Sequence, residues 1–233
     1  MSNLPEPVDF DLAGGDRRSL NRSLHALAGD GAGARWNIRN PGGRHALCVG
    51  MAAEAELAIH GHVGYYCAGM NRSANIVIHG NAGPGVAENM MSGSVRVKGN
   101  ASQSAGASGR GGLLVIEGNA SARCGISMKG IDIVVAGSVG HMSAFMAQAG
   151  HLVVCGEAGA DLGDSIYEAV LYVRGPVASL GADCVEKEMT DAHRERVGGL
   201  LAAAGVEADP GSFRRYGSAR RLYNFNVDRA DEY

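Results

Sequence analysis

Short apolar triplets closed by a basic, acidic or small residue and then a glycine recur through the middle of the chain. They run Leu57-Ala58-Ile59-His60-Gly61, Ile76-Val77-Ile78-His79-Gly80, Val95-Arg96-Val97-Lys98-Gly99 and Leu114-Val115-Ile116-Glu117-Gly118. Ile133-Val134-Val135-Ala136-Gly137, Leu152-Val153-Val154-Cys155-Gly156 and Leu171-Tyr172-Val173-Arg174-Gly175 follow, every marker glycine 19 residues after the last. In each unit the residues four and two before the glycine are Leu, Ile or Val, which is the alternation of a half-buried β-strand. Two positions after the glycine stands Val or Ala, and seven positions after it Ala or Gly, so both columns admit only small side chains. A period this short does not fit helical-hairpin repeats and lacks leucine-rich spacing, so the units are expected to be coils of a parallel β-helix. Parallel crossovers are right-handed as a rule, and that hand is expected here.

Stacking turns one strand spacing apart makes each sequence column a ladder of neighbours, about 29 Å long over six intervals. The column after the marker reads His62, Asn81, Asn100, Asn119, Ser138, Glu157, Pro176. Asn81, Asn100 and Asn119 in register predict an amide ladder at a bend. Cys67 and Cys124 share a column three turns apart, about 14 Å, beyond disulfide reach, and are expected to be core thiols. His60 and His79 stack in the column before the marker, which continues Lys98, Glu117, Ala136, Cys155, Arg174; it reads as a solvated or partner-facing side rather than a metal site.

The flanks leave the period. Residues 1–44 are expected to be an N-terminal cap, 45–182 the β-helix, and 183–233 a C-terminal helix and docking arm. Leu20, Leu24 and Leu27 form one face of a helix over Asp16–Leu27, and Gly42–Gly50 reads as an irregular first coil. Gly29-Asp30-Gly31-Ala32-Gly33 imitates a phosphate loop but neither follows a strand nor opens a helix. Val185–Ala204, rich in Glu, Lys and Arg and closed by Gly205, predicts an amphipathic capping helix. The segment Phe213–Arg229 carries four aromatics and five arginines, the composition of a docking arm or of a strap lying back on its own β-helix.

Composition narrows the function. Glycine fills 36 of 233 positions and aromatics 5 %, so the core must be built from aliphatic residues. A net charge of −3 provides no basic field for nucleic acid or anionic lipid. The start lacks a secretory pattern, no apolar run is long enough to span a membrane, and five unpaired cysteines suit a reducing compartment, so a cytoplasmic protein is expected. No nucleophile elbow, zinc-protease helix, P-loop or kinase signature is present. Glu88, Asp161, Asp164 and Glu168 lie in loops with no spacing that singles out an acid–base pair. No catalytic, cofactor-binding or metal-ligating residue is assigned.

The 19-residue coils, especially Gly61-His62-Val63-Gly64, Gly80-Asn81-Ala82-Gly83 and Gly137-Ser138-Val139-Gly140, resemble the C-terminal GXGXG β-helix domain of glutamate synthase. Asn21 and its helix, Asn40-Pro41-Gly42-Gly43-Arg44-His45 and Ser218-Ala219-Arg220-Arg221-Leu222-Tyr223-Asn224-Phe225 are similar to stand-alone versions of that domain, with the closest likeness to the small β-helix subunit of N-methylglutamate synthase. The resemblance implies a hetero-oligomeric transferase complex of methylamine metabolism: a class II glutaminase-like subunit, this scaffold subunit, and a synthase subunit holding FMN and iron–sulfur clusters. The family's nucleophilic cysteine, flavin contacts and cluster cysteines belong to other domains and match no position here. Arg220, Arg221, Leu222, Tyr223, Asn224 and Phe225 are the expected partner-docking residues. The runner-up is the β-helix subunit of a formylmethanofuran dehydrogenase or formyltransferase/hydrolase-type complex. A free-standing structural or carbohydrate-binding β-helix would need exposed aromatic rows, and Phe145, Tyr167 and Tyr172 are too scattered to supply them.

Overall fold

A computed structural model describes residues 6–27 and 33–219 of the chain. Nine strands stack in one parallel ladder: β1 (Val8–Asp11), β2 (Ala34–Arg39), β3 (Ala55–His60), β4 (Asn75–Ile78), β5 (Ser94–Val97), β6 (Leu113–Ile116), β7 (Lys129–Val135), β8 (Ala149–Val154) and β9 (Val170–Val173). From β3 onward the register follows the repeat, Leu57 facing Ile76, then Val95, Leu114, Ile133, Leu152 and Leu171 in turn. The expected all-β parallel β-helix is the fold. The first coil is two residues longer, since Trp36 pairs with Leu57, and Gly42–Gly50 forms its corner.

Each coil has three sides, and each side explains a sequence column. The main sheet turns its Leu, Ile and Val inward; Ile59, Ile78, Val97, Ile116, Val135 and Val154 are fully buried. Past the marker glycine, single-residue parallel bridges join Val63, Ala82, Ala101, Ala120, Val139, Ala158 and Val177 into a narrow second ladder. The third side is a corner of alternating left-handed residues: Tyr66, Ala68 and Met70 in one coil, Ser104, Gly106 and Ser108 two coils on. The backbone N–H groups there reach up and down the stack alternately, Tyr66 to the Pro84 carbonyl and Ala68 back to that of Leu47. The middle position of each corner (Ala68, Ala87, Gly106, Gly125, Ala144, Gly163) is buried at positive φ. A left-handed conformation costs an L-residue roughly 1–2 kcal/mol, and a long inward side chain has no room, so only Ala and Gly occur.

From Gly80 onward the marker glycines answer to closeness rather than to φ, whereas Gly61 also holds a φ of +137°. A Cβ on Gly118 would lie 2.4 Å from Asn100 Oδ1 and 2.8 Å from the Gly99 carbonyl oxygen; one on Gly80 would lie 2.6 Å from the Gly61 carbonyl. Neighbouring marker glycines hydrogen-bond directly, Gly118 N–H to Gly99 O at 3.0 Å and Gly156 N–H to Gly137 O at 2.8 Å.

The two ends close differently. Helix α1 (Arg17–His25), capped by Asp16 accepting from the Arg18 and Ser19 amides, buries Leu20 and Leu24 in the same core as Leu12, Leu47 and Met51. At the other end β11 (Arg214–Ser218) pairs antiparallel with β9, and β10 (Cys184–Lys187) antiparallel with β11, so that Tyr216 and Cys184 seal the core. The expected helix over Val185–Ala204 is corrected here. Residues 184–187 form a strand, because pairing with β11 outweighs the helix propensity of Glu186 and Lys187. Helix α2 (Asp191–Ala204) starts after Thr190 and ends at Gly205, in the left-handed conformation. It does not cap the open end but lies along the flank of the sheet.

Candidate functional site

The outward column three residues before each marker reads Ala58, Val77, Arg96, Val115, Val134, Val153, Tyr172. Its last four members are buried, because α2 sets Val197, Leu200, Leu201 and Ala204 on them, joined by Phe213. The sheet is therefore covered on both faces over β6–β9 and open on its outer face over β3–β5. Arg96 marks the border: its guanidinium donates to Ala204 O at 2.8 Å, at the negative end of the α2 dipole, and to Glu117 Oε1 at 2.9 Å.

Beside this apolar contact lies a polar network that joins five elements, β7, β8, β9, α2 and β11. Asp132 Oδ1 accepts from His151 Nδ1 at 2.7 Å, and its Oδ2 from Arg196 of α2 at 2.8 Å. Tyr172, stacked on His151, meets His193 Nδ1 at 2.8 Å, while Arg215 of β11 donates to His193 Nε2. Arginine has no acceptor atom, so Nε2 must be the bare nitrogen, the proton sits on Nδ1, and His193 donates to the Tyr172 hydroxyl oxygen as a neutral imidazole. Burial, then Arg215 and His151, hold His193 below the usual histidine range, in agreement with that tautomer. Burial pushes the Tyr172 phenol up.

Comparison with known proteins finds one strong relative. Protein GlxC of Rhizobium meliloti (strain 1021) is 59 % identical over 225 residues, which are 96 % of this chain and 99 % of that protein. The chain belongs to the GlxC family. No family model matches it, and no solved structure does.

In this GlxC-family chain the asparagine column forms a ladder, though between side chain and backbone rather than between amides. Asn81, Asn100 and Asn119 each accept, through Oδ1, the backbone N–H of the residue one coil on, all at 2.8 Å. His62 Nδ1 starts the series by accepting from Asn81 N–H, and Ser138 Oγ ends it by accepting from Glu157 N–H. The marker glycines Gly61, Gly80, Gly99, Gly118, Gly137, Gly156 and Gly175 stand one residue before this column, and Gly99, Gly118, Gly137 and Gly156 leave space for the ladder side chains.

Cys48, Cys67, Cys124, Cys155 and Cys184 are free and buried, with burial pushing the Cys67 and Cys124 thiols up to about 12. The rings of His60 and His79 lie parallel with centroids 4.9 Å apart, and burial, then His60 and Lys98, hold His79 below its usual range. Among the described residues no group of three or more His, Cys, Asp or Glu side chains is placed to hold a metal, and no helix is long and apolar enough to cross a membrane. Asp161 meets His141 and Ser179, Asp164 accepts from Ser165 and Ala182, and burial raises the Glu88 carboxyl.

Of the expected docking arm, Phe213–Ala219 lies back on the solenoid: Phe213, just before β11, and Tyr216 within it are buried. Arg220, Arg221, Leu222, Tyr223, Asn224 and Phe225 lie outside the described residues, as does the Gly29–Ala32 stretch. The network under α2 escapes the sequence reading because His193, Arg196 and Arg215 come from flanks outside the period, although Asp132 and His151 share a column one coil apart. A signal for the buried flank does exist: the β6–β9 strands are apolar at successive positions, as in Leu113-Leu114-Val115-Ile116, the mark of a strand covered on both faces.

Proposed function

We propose that this chain is the non-catalytic scaffold subunit of a glutamate-synthase-related complex, and that the complex is N-methylglutamate synthase, converting methylamine and L-glutamate to N-methyl-L-glutamate and ammonia. The observation that carries the reading is the unbroken 19-residue solenoid, whose Gly61–Gly64, Gly80–Gly83 and Gly137–Gly140 turns are those by which the chain resembles the glutamate synthase β-helix. The near full-length identity to GlxC is consistent with a small subunit of that kind. A stack in which every coil is tied to the next by main-chain bonds and by a side-chain ladder deforms little, and suits holding two reaction centres at fixed separation. The partners in this reading are a class II glutaminase-like subunit and a synthase subunit that holds FMN and iron–sulfur clusters. In this reading the solenoid also helps wall the path of ammonia or methylamine between centres.

Reconstitution tests the reading. The chain should co-purify with both partners, and removing it from the purified mixture should abolish methylamine-dependent formation of N-methylglutamate while leaving flavin and cluster absorbance with the synthase subunit. Product at full rate from the partners alone would overturn the scaffold role.

A further inference from the structure

The N-terminal turn of α1 and the corner of the first coil enclose an open cleft of about 720 Å³ lined by Gly15, Asp16, Arg17, Arg18, Gly42, Gly43, Arg44 and His45. We infer that this cleft is the docking surface for an acidic segment of a partner protein, its carboxylates received by Arg17, Arg18, Arg44 and His45.

Four observations carry the inference. Arg17, Arg18 and Arg44 line one concavity, and none of them forms an ion pair among the described residues. The single acid in the lining is already engaged, since Asp16 Oδ1 accepts from the Arg18 amide at 2.6 Å and the Ser19 amide at 3.0 Å. Second, Arg17 and Arg18 open a helix whose first turn holds no acid. Cations there oppose the helix dipole, which Asp16 alone offsets at the N-cap, so an anion seated on the two arginines would relieve the remaining opposition. Third, the corner is built rather than loose. Arg44 is pinned by donating to the Asn40 and Pro41 carbonyls, and a Cβ on Gly64 would lie 2.2 Å from His45 Nδ1 and 2.3 Å from Gly43 O. Fourth, His45 Nδ1 accepts the Tyr65 amide at 3.0 Å, so the proton of the neutral ring is on Nε2, which is a donor. The cleft thus sets three arginines and a ring donor against a single carboxylate, that of Asp16. Its breadth across two elements, from Arg17 and Arg18 on α1 to Arg44 and His45 at the corner, suits a chain segment carrying several carboxylates better than one small anion.

The inference concerns this chain's own cations and stands apart from the amine chemistry proposed above. It is tested by fluorescence anisotropy of the full chain with a labelled octaglutamate peptide, with octalysine as control. Binding should weaken about tenfold in the Arg17→Ala/Arg18→Ala double variant and in Arg44→Ala, while Arg110→Ala, an exposed arginine outside the cleft, changes it less than twofold. Arg17 and Arg18 are exposed, so the double variant keeps its melting temperature and is not lost to misfolding. Equal weakening in Arg110→Ala, or no binding by the unaltered chain, would overturn the site. Saturable displacement of the peptide by millimolar inorganic phosphate or L-glutamate would make a free anion the occupant and overturn the partner assignment.

Discussion

The side chain of Asn21 does for Cys48 what a whole coil does for the equivalent residue of every later turn. Its Oδ1 accepts the Cys48 N–H at 2.9 Å and its Nδ2 donates to Ala46 O at 2.8 Å. One coil on, Ala68 N–H donates to the Leu47 carbonyl at 2.9 Å, and after it Ala87 to Cys67 and Gly106 to Val86, also at 2.9 Å. One carboxamide from α1 thus imitates the peptide group of a coil that does not exist, and His25 Nε2 adds a contact to Val49 O at 2.7 Å. The end of a solenoid is where unpaired backbone groups are most costly, and here one helix face closes it with Leu20 and Leu24 for the core and Asn21 for the backbone.

Asn21→Ala should therefore lower the stability of the full chain by about 1–3 kcal/mol, since it strands the donor of the buried Cys48 and an acceptor on Ala46. Urea unfolding reads this as a lower midpoint with an unchanged slope. An unshifted midpoint would mean that water replaces the amide and that α1 closes the end through its leucines alone.

Alanine in place of glycine should act with opposite sign at two positions. At Gly118 the new methyl collides with Asn100 Oδ1 and the Gly99 carbonyl, with backbone on one side unable to retreat, so Gly118→Ala should cost about 1–3 kcal/mol. At Gly199, exposed on α2 with nothing within 4 Å of an added Cβ, the same change should stabilise by up to about 1 kcal/mol through helix propensity. Thermal melts of both variants check it, and a shift of the same sign in both would refute the close-approach account of the marker column.

What the sequence made legible was whatever repeats. The strands, the Val/Ala bridges and the small corner residues occupy fixed offsets from Gly61 to Gly175, because each coil must fit its neighbour at one spacing. Asn81, Asn100 and Asn119 were visible as a column, yet their bonding to backbone N–H could not be read from residue type. The flanks obey no period, and there local propensity misled: Val185-Glu186-Lys187 has helix-forming composition but forms a strand because β11 offers its edge. The run Ile133-Val134-Val135, apolar at successive positions, held the hint that α2 covers the flank, whereas Ser94-Val95-Arg96-Val97 keeps the alternation of an open face.

The seat of α2 rests on Leu200 and Leu201 over Val115, Val134 and Val153. Leu201→Ala should cost about 2–5 kcal/mol locally. Hydrogen exchange in residues 191–204 should speed up strongly, while the Val95 and Val97 amides inside the solenoid keep their protection. Uniform loss of protection in both regions would show instead that α2 and the coils unfold as one unit.

Acid should loosen the same seat, with a sign fixed by His193. Its folded-state pKa lies below the ordinary value of about 6.5, because protonation would place a cation in a half-buried site and end its acceptance from Arg215. In the window between the folded and unfolded values the unfolded chain binds more protons, so stability rises with pH there. The contribution is complete above the unfolded value and is lost as pH falls through the folded one. His79, also held low, works in the same direction. The Glu117 carboxyl, lowered by Lys98 and Arg96, is lost only under stronger acid. Unfolding midpoints should accordingly drop as pH falls below the ordinary histidine value of about 6.5, and His193→Gln should flatten part of that slope. His79→Gln should flatten a further part without affecting exchange in α2. An identical slope in His193→Gln would show that the ring carries no proton linkage and that Tyr172 and Arg215 hold α2 without it.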